Sequence, residues 1–238
     1  MGNPGYVTLT RQAGLLREMQ VVANNIANAA TDGYRQEGLV FSEFMHETGG
    51  GQPALSMAAA RVGNTSLAQG QLTQTGGTFD LAIEGPGFFL VETPRGERLT
   101  RAGAFGPNAN GDLVNKDGFR LLDAGRAPVF VPPGSGEIGI SPDGTLSAGG
   151  RPLAQIGLFQ PVREGDLQRE DGVMFRAEQG VMAQLDGRIL QGFVEGANVE
   201  PIDQMARMIE IQRAYEMGQS FLRTEDERIR SALKTLMR

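Results

Sequence analysis

The side chains that could do chemistry in this 238-residue chain are few, and their spacing works against it. Asp80 and Glu84 are carboxylates that could share acid and base roles. Four residues apart on a strand, however, they point to one face simply because side chains alternate with a period of two, and a solvated strand face explains them. His46, the sole histidine, sits in Phe44-Met45-His46-Glu47 and has no second imidazole for a transition-metal site, so it reads as structural. The chain has no cysteine, which excludes disulfides and thiolate metal sites. Asn108, Asn110 and Asp112 occupy the first, third and fifth places of a calcium loop, but Leu113 and Phe119 stand where glycine and glutamate are needed. Gly134, Gly136 and Gly139 match the spacing of a dinucleotide-binding turn. Pro132-Pro133 before it and Ser141-Pro142-Asp143-Gly144 after it leave no helix to present its amides to a pyrophosphate. A phosphate-binding Gly-Lys-Ser/Thr loop and a glycine-flanked serine elbow are both missing from the sequence. The expectation is no catalytic residue, no cofactor and no metal.

The elements around these residues divide into three kinds. From about residue 79 to 196 short apolar runs at 80–83, 87–91, 118–122, 128–131, 153–159, 173–175 and 189–194 alternate with turn signals. Among those signals are Asp117-Gly118, Asp143-Gly144, Asp171-Gly172 and Asp186-Gly187, in which glycine tolerates positive φ and aspartate can bond its own backbone. This pattern predicts an all-β central domain over 79–196. Before it, residues 34–78 read as an extended connector. Between Thr48 and Phe79 the only charged residue is Arg61, amid Gly, Gln and Thr, including Gly49-Gly50-Gly51 and Pro53. A segment too polar for a core and too uncharged for a typical disordered tail fits a connector covered by neighbours on assembly, the other reading being a flexible, solvated linker of low complexity.

Both ends read as helices with seams. Over 197–238, steps of seven link Met208, Tyr215, Leu222, Ile229 and Leu236, the period of a helix that winds against partners. The companion column is Ile211, Gly218, Glu225 and Ala232, whose small members would let another backbone come close. Charges at Asp203 and Arg207, Glu210 and Arg213, Glu225 and Arg228, and Asp226 and Arg230 are spaced to pair on the helix surface. Asn198 and Pro201 predict a capped start near residue 199. Over 1–33, Asn3-Pro4 opens a helix and Gly33 offers its left-handed stop. Leu9, Gln12, Leu16, Met19, Ala23, Ile26 and Ala30 recur three and four apart between them. Asn24, Asn25 and Asn28 are poor helix formers, which leaves two readings open: solvated polar positions, or side-chain hydrogen bonding in a crowded helix contact. The fold class is therefore mixed α and β: N- and C-terminal helices forming a coiled-coil-like domain, with a mainly β domain between them. The residues expected at the assembly interface are Leu9, Leu16, Met19, Ala23, Asn24, Asn25, Ile26, Asn28, Met208, Ile211, Tyr215, Leu222, Ile229 and Leu236.

Net charge is -6 with scattered basic residues, which argues against a nucleic-acid partner. No run reaches the ~18 apolar residues of a membrane span, so no direct membrane insertion is expected. The first residues lack the basic and apolar blocks of a cleaved secretory signal.

Three motifs in order resemble one family. Ala23-Asn24-Asn25-Ile26-Ala27-Asn28-Ala29-Ala30-Thr31-Asp32-Gly33-Tyr34-Arg35 resembles the N-terminal signature of bacterial flagellar rod and hook proteins, and Gly196-Ala197-Asn198-Val199-Glu200-Pro201 with the long helix resembles their C-terminal one. Residues 75–89, TGGTFDLAIEGPGFF, followed by Leu99-Thr100-Arg101-Ala102-Gly103-Ala104-Phe105, are similar to the family's central domain. The size is similar to that of a rod subunit, and Gly5-Tyr6-Val7-Thr8-Leu9-Thr10-Arg11-Gln12 is most similar to the proximal rod, with the distal rod subunit as nearest rival. The resemblance implies an inner tube of terminal helices, an outer β layer, and helical self-assembly into a hollow, torque-transmitting shaft in the periplasm. It implies as partners other copies, neighbouring proximal and distal rod proteins, and the flagellar type III export apparatus, which would carry the chain without a cleaved signal. The reading from another class is a peptidoglycan-acting enzyme, which would need an acid and base pair in a cleft.

Overall fold

A computed structural model describes residues 3–46 and 55–236. The Gly49-Gly50-Gly51 and Pro53 part of the connector lies outside the described residues, as do the side chains of His46 and Leu236. The elements run α1 (Asn3–Ala27), β1 (Glu37–His46), β2 (Leu55–Thr65), β3 (Leu72–Gln74), β4 (Leu81–Glu84), β5 (Phe89–Thr93), β6 (Gly96–Thr100), β7 (Gly106–Pro107), β8 (Leu113–Val114) and β9 (Arg120–Leu121). They continue with β10 (Ile138–Ile140), β11 (Thr145–Ala148), β12 (Arg151–Gln155), β13 (Phe159–Pro161), β14 (Leu167–Glu170), β15 (Met174–Ala177), β16 (Val181–Ala183), β17 (Arg188–Gln191), β18 (Phe193–Glu195) and α2 (Pro201–Leu236). The class is thus mixed, with a helix at each end and mainly β structure between. Two compact units divide the chain: the first holds Met1–Ala27, Glu37–Asn64 and Glu200–Arg238, the second Asn28–Gln36 and Thr65–Val199.

In the second unit seven strands form one sheet in the order β14-β15-β6-β5-β9-β8-β7. Strand alternation explains its two cores. On β5, Phe89 and Val91 join Leu81, Ile83, Leu113, Leu121, Leu146, Ile156 and Ile189 in the larger cluster. Phe88 and Leu90 point the other way, to Leu99, Leu122, Phe159 and Phe175. The late strands return to the early ones: β17 pairs antiparallel with β4, Ile189 opposite Ile83, and β18 pairs with β3, Val194 opposite Thr73. Three of the expected Asp-Gly turns carry positive φ at Gly118, Gly144 and Gly172. Gly187 does not have that conformation; it is wanted for space, since a Cβ there would lie 2.5 Å from the Pro86 carbonyl oxygen. Much of the expected connector is paired strand: β1 and β2 form a two-stranded sheet, and β3 is closed by β18. Backbone groups in extended chain need partners, and composition alone does not show where they are found.

In the first unit α1 and α2 run antiparallel. Asn25 meets Gln204, Glu18 meets Arg207, and Gln12 faces Gly218. The helices differ in length, 25 against 36 residues, or about 38 and 54 Å at ~1.5 Å per residue. The C-terminal end of α2 therefore outruns its partner.

Candidate assembly interface

The face that α1 turns inward is more polar than its apolar spacing predicts. Gln12, Glu18, Val21, Val22 and Asn25 are buried, while Leu9 and Leu16 are 53% and 46% exposed and Ala23 is exposed. Met19 and Ile26 are half-buried. Asn25 acts as a joint: its amide nitrogen donates to Gln204 Oε1 (3.1 Å) and to the Glu37 carbonyl (2.9 Å), and its Oδ1 accepts from the Glu37 amide (3.0 Å). A buried amide with both ends bonded fixes register, because any slip would leave it unsatisfied. Asn24 stands exposed on the same helix, and Asn28 helps close the turn that follows, its Oδ1 accepting from the Thr31 hydroxyl.

On α2, Ile211 is buried, Met208, Tyr215 and Leu222 are half-buried, and Ile229 is 48% exposed. Gly218 permits a close approach, since a Cβ there would stand 3.3 Å from the Gln12 amide nitrogen. Arg207 reaches Glu18 across the helix pair, with Nε 2.8 Å from Oε1, and Glu210 along its own helix at 3.2 Å. It does not pair with Asp203 as its spacing suggested; the less exposed Glu18 carboxylate is the better partner, and it holds the Arg207 proton more firmly than usual. The surface pairs Glu225 with Arg228 and Asp226 with Arg230 form as spaced, at 2.6 and 2.9 Å.

Residues that spacing did not single out carry the second unit's polar centre. Glu195, fully buried, places Oε1 2.8 Å from Arg35 Nη2 and Oε2 2.9 Å from Arg101 Nη1. Its Oε1 also accepts the Gly70 amide at 2.8 Å. Arg35 donates to the Ala68 carbonyl, and Arg101 donates to the Gly85 carbonyl at 2.6 Å while lying over the Phe88 ring at 5.4 Å. Two cations on one carboxylate leave a net positive charge out of water. Burial accordingly pushes Arg101 down to about 10, against the opposing pull of Glu195, and lowers Arg35 in the same way. Arg169 stacks on Tyr34 at 4.4 Å and Phe175 at 4.7 Å, and donates to the Arg35 carbonyl.

Asn198 belongs to this centre and not to a helix cap. Its Oδ1 accepts the Gln36 amide at 2.6 Å, and its nitrogen donates to the Ser66 and Ala68 carbonyls. The helix begins later, at Pro201, with the Glu200 carbonyl accepting the Gln204 amide. Gly33 N donates to the Glu195 carbonyl and Asn198 N to that of Tyr34. Segments 28–36 and 195–199, which lead from α1 and into α2, are thus bound side by side. Only the long chain separations, 94 residues between Arg101 and Glu195, hid the group from sequence reading.

Two of the chemistry-bearing candidates make local hydrogen bonds. Asp80 accepts from the Thr75 hydroxyl at 2.6 Å, and Asn108 Oδ1 accepts the amides of Asn110 and Asp112 to close a tight loop. Among the described residues no cluster of metal-ligating side chains occurs.

Three family models match in order: Flagella basal body rod protein over residues 6–35, Flagellar hook protein FlgE/F/G D1 domain over 82–148, and Flagellar basal body rod FlgEFG protein C-terminal over 190–235. Across 97% of its length the chain is 37% identical to Flagellar basal-body rod protein FlgF of Mesorhizobium japonicum, covering 96% of that protein. The chain belongs to the flagellar basal-body rod protein family. This rod-family chain is also 37% identical to FlgF of Caulobacter vibrioides, over 99% of itself and 98% of the relative. To Flagellar basal-body rod protein FlgG of Bacillus subtilis it is 29% identical, over 93% and 94%. The first match ends at Arg35 and the last takes in Glu195, so both partners of the buried ion pair fall inside the family's terminal regions.

Proposed function

We propose that this chain is a structural subunit of the flagellar basal-body rod, of the proximal F type, working in the basal body as part of a hollow shaft that transmits torque. The observation that carries this is similarity over nearly the full length, including both terminal helices. Higher identity to FlgF relatives than to FlgG relatives favours the proximal over the distal subunit. Its role is mechanical, and its partners are copies of itself, neighbouring proximal and distal rod proteins, and the type III export apparatus. No helix among the described residues is long and apolar enough to cross a membrane.

In this reading the domains are 1–33, 34–78, 79–196 and 197–238, and the two helices wind coiled-coil fashion against those of other subunits. Asn25 and Ile211 set the pairing of helices in one chain. Leu9, Leu16, Met19, Ala23, Asn24, Ile26, Asn28, Met208, Tyr215, Leu222, Ile229 and Leu236 serve contacts between subunits. The exposure of Leu9, Leu16 and Ile229 supports that division. The test is Ile229→Asp in the full chain. The substituted protein should melt like the unsubstituted one yet fail to enter isolated basal bodies, and normal incorporation with normal motility would overturn the interface.

A further inference from the structure

Among the described residues, every side chain of α2 from 226 to 235 is exposed. Extrapolating the antiparallel pairing, α1 runs out beside roughly residue 227 at ~1.5 Å per residue. Beyond it, Ile229 and Leu233 stand 48% and 53% exposed, four residues apart on one helix face. Lys234 and Arg230, the latter in an exposed pair with Asp226 at 2.9 Å that can exchange partners, form the neighbouring strip, so this end combines apolar and basic side chains.

A groove of complementary chemistry lies in the second unit. Its volume is about 510 Å³, and Ala102, Ala104, Phe119 and Met174 give it an apolar floor. The rim carries Asp32, Asp117 and Asp171 against the single Lys116. Lys116 lies 3.3 Å from Asp32 and is 75% exposed, and Asp171 pairs with the equally exposed Arg95, so both cations can swing aside. The Asp117 carboxylate accepts from the Asn115 side-chain amide at 3.3 Å.

We infer that the overhanging end of α2 of one copy, led by Ile229 and Leu233, seats in this groove of a second copy, with Arg230 and Lys234 against the carboxylate rim. The occupant is another copy because this chain itself displays the matching apolar and basic strip. The contact joins two different surfaces, so it cannot close on itself in a pair and propagates as an open, head-to-tail array. The inference rests on the rod reading and adds to it the surface that receives the helix end.

The absence of native cysteine makes the test clean. Cells of the native bacterium would express two versions of the full chain, one Asp117→Cys and one Arg230→Cys, and basal bodies would be isolated after thiol oxidation. A disulfide-linked pair that needs both versions is expected. Basal bodies that contain both versions but no such pair, beyond the level with either alone, overturn the groove and leave the rod reading intact. Absence of the unsubstituted chain from basal bodies overturns both. In a second arm, Asp117→Arg should cut incorporation about tenfold through like-charge contact, and added Arg230→Asp and Lys234→Asp should restore it; equal loss in the combined variant counts against the contact.

Discussion

Glu195 is the residue on which most depends, because it balances two buried guanidinium groups. Replacing it with glutamine keeps the shape and removes the charge. The loss should be ~3–5 kcal/mol, the usual cost of orphaning a buried ion, read from the shift of the urea midpoint; a loss below ~1 kcal/mol would show that Arg35 and Arg101 are stabilised by their carbonyl partners alone. A second prediction separates backbone strain from close approach. Gly33 and Gly76 share φ values of +72° and +74°, but a Cβ at Gly33 would lie 2.1 Å from the Ala102 nitrogen while one at Gly76 meets nothing within 4 Å. Gly76→Ala should cost only the ~1–2 kcal/mol of the left-handed conformation. Gly33→Ala should cost clearly more in the same melt, and equal costs would mean that segment 28–36 yields easily.

Among the elements, α2 divides in two. Up to Leu222 its inner face is covered by α1, whereas from residue 226 to 235 every side chain is exposed. An unpacked helix end holds only through local pairs such as Glu225 with Arg228, each adding ~0.2–0.5 kcal/mol. Trypsin acting on dilute free protein should therefore cut first after Arg223, Arg228 and Arg230, before any site in the β sheet. Mass spectrometry of the early fragments checks this, and protection of 223–235 equal to that of the strands would contradict it. The seam on α1 teaches a related point. Apolar spacing found the helix but not its inward face, because Glu18 and Asn25 have partners on other elements, Arg207, Gln204 and Glu37, that compensate their burial.

For the whole molecule, pH is a direct probe. Hydrogen bonding from Arg98 holds Glu170 below the usual carboxylate range, and the Thr145 amide and hydroxyl do the same for Asp143. A carboxylate whose folded pKa is depressed adds stability above its unfolded value, and that stability is lost as pH falls through the folded one. Melting temperature should therefore fall on acidification below about pH 4.5, and Glu170→Gln should flatten part of the fall; an unchanged profile would remove Glu170 from the account. The sequence by itself determined the two helical ends, the β middle, the Asp-Gly turns and the family motifs, because these rest on periodicity and local conformational preference, which act over a few residues. Tertiary structure alone decided which face of α1 turns inward, that Asn198 clamps instead of capping, and that Arg35, Arg101 and Glu195 meet. Those outcomes depend on desolvation and on partners far apart in the chain, where no local pattern signals which groups will compensate one another's burial.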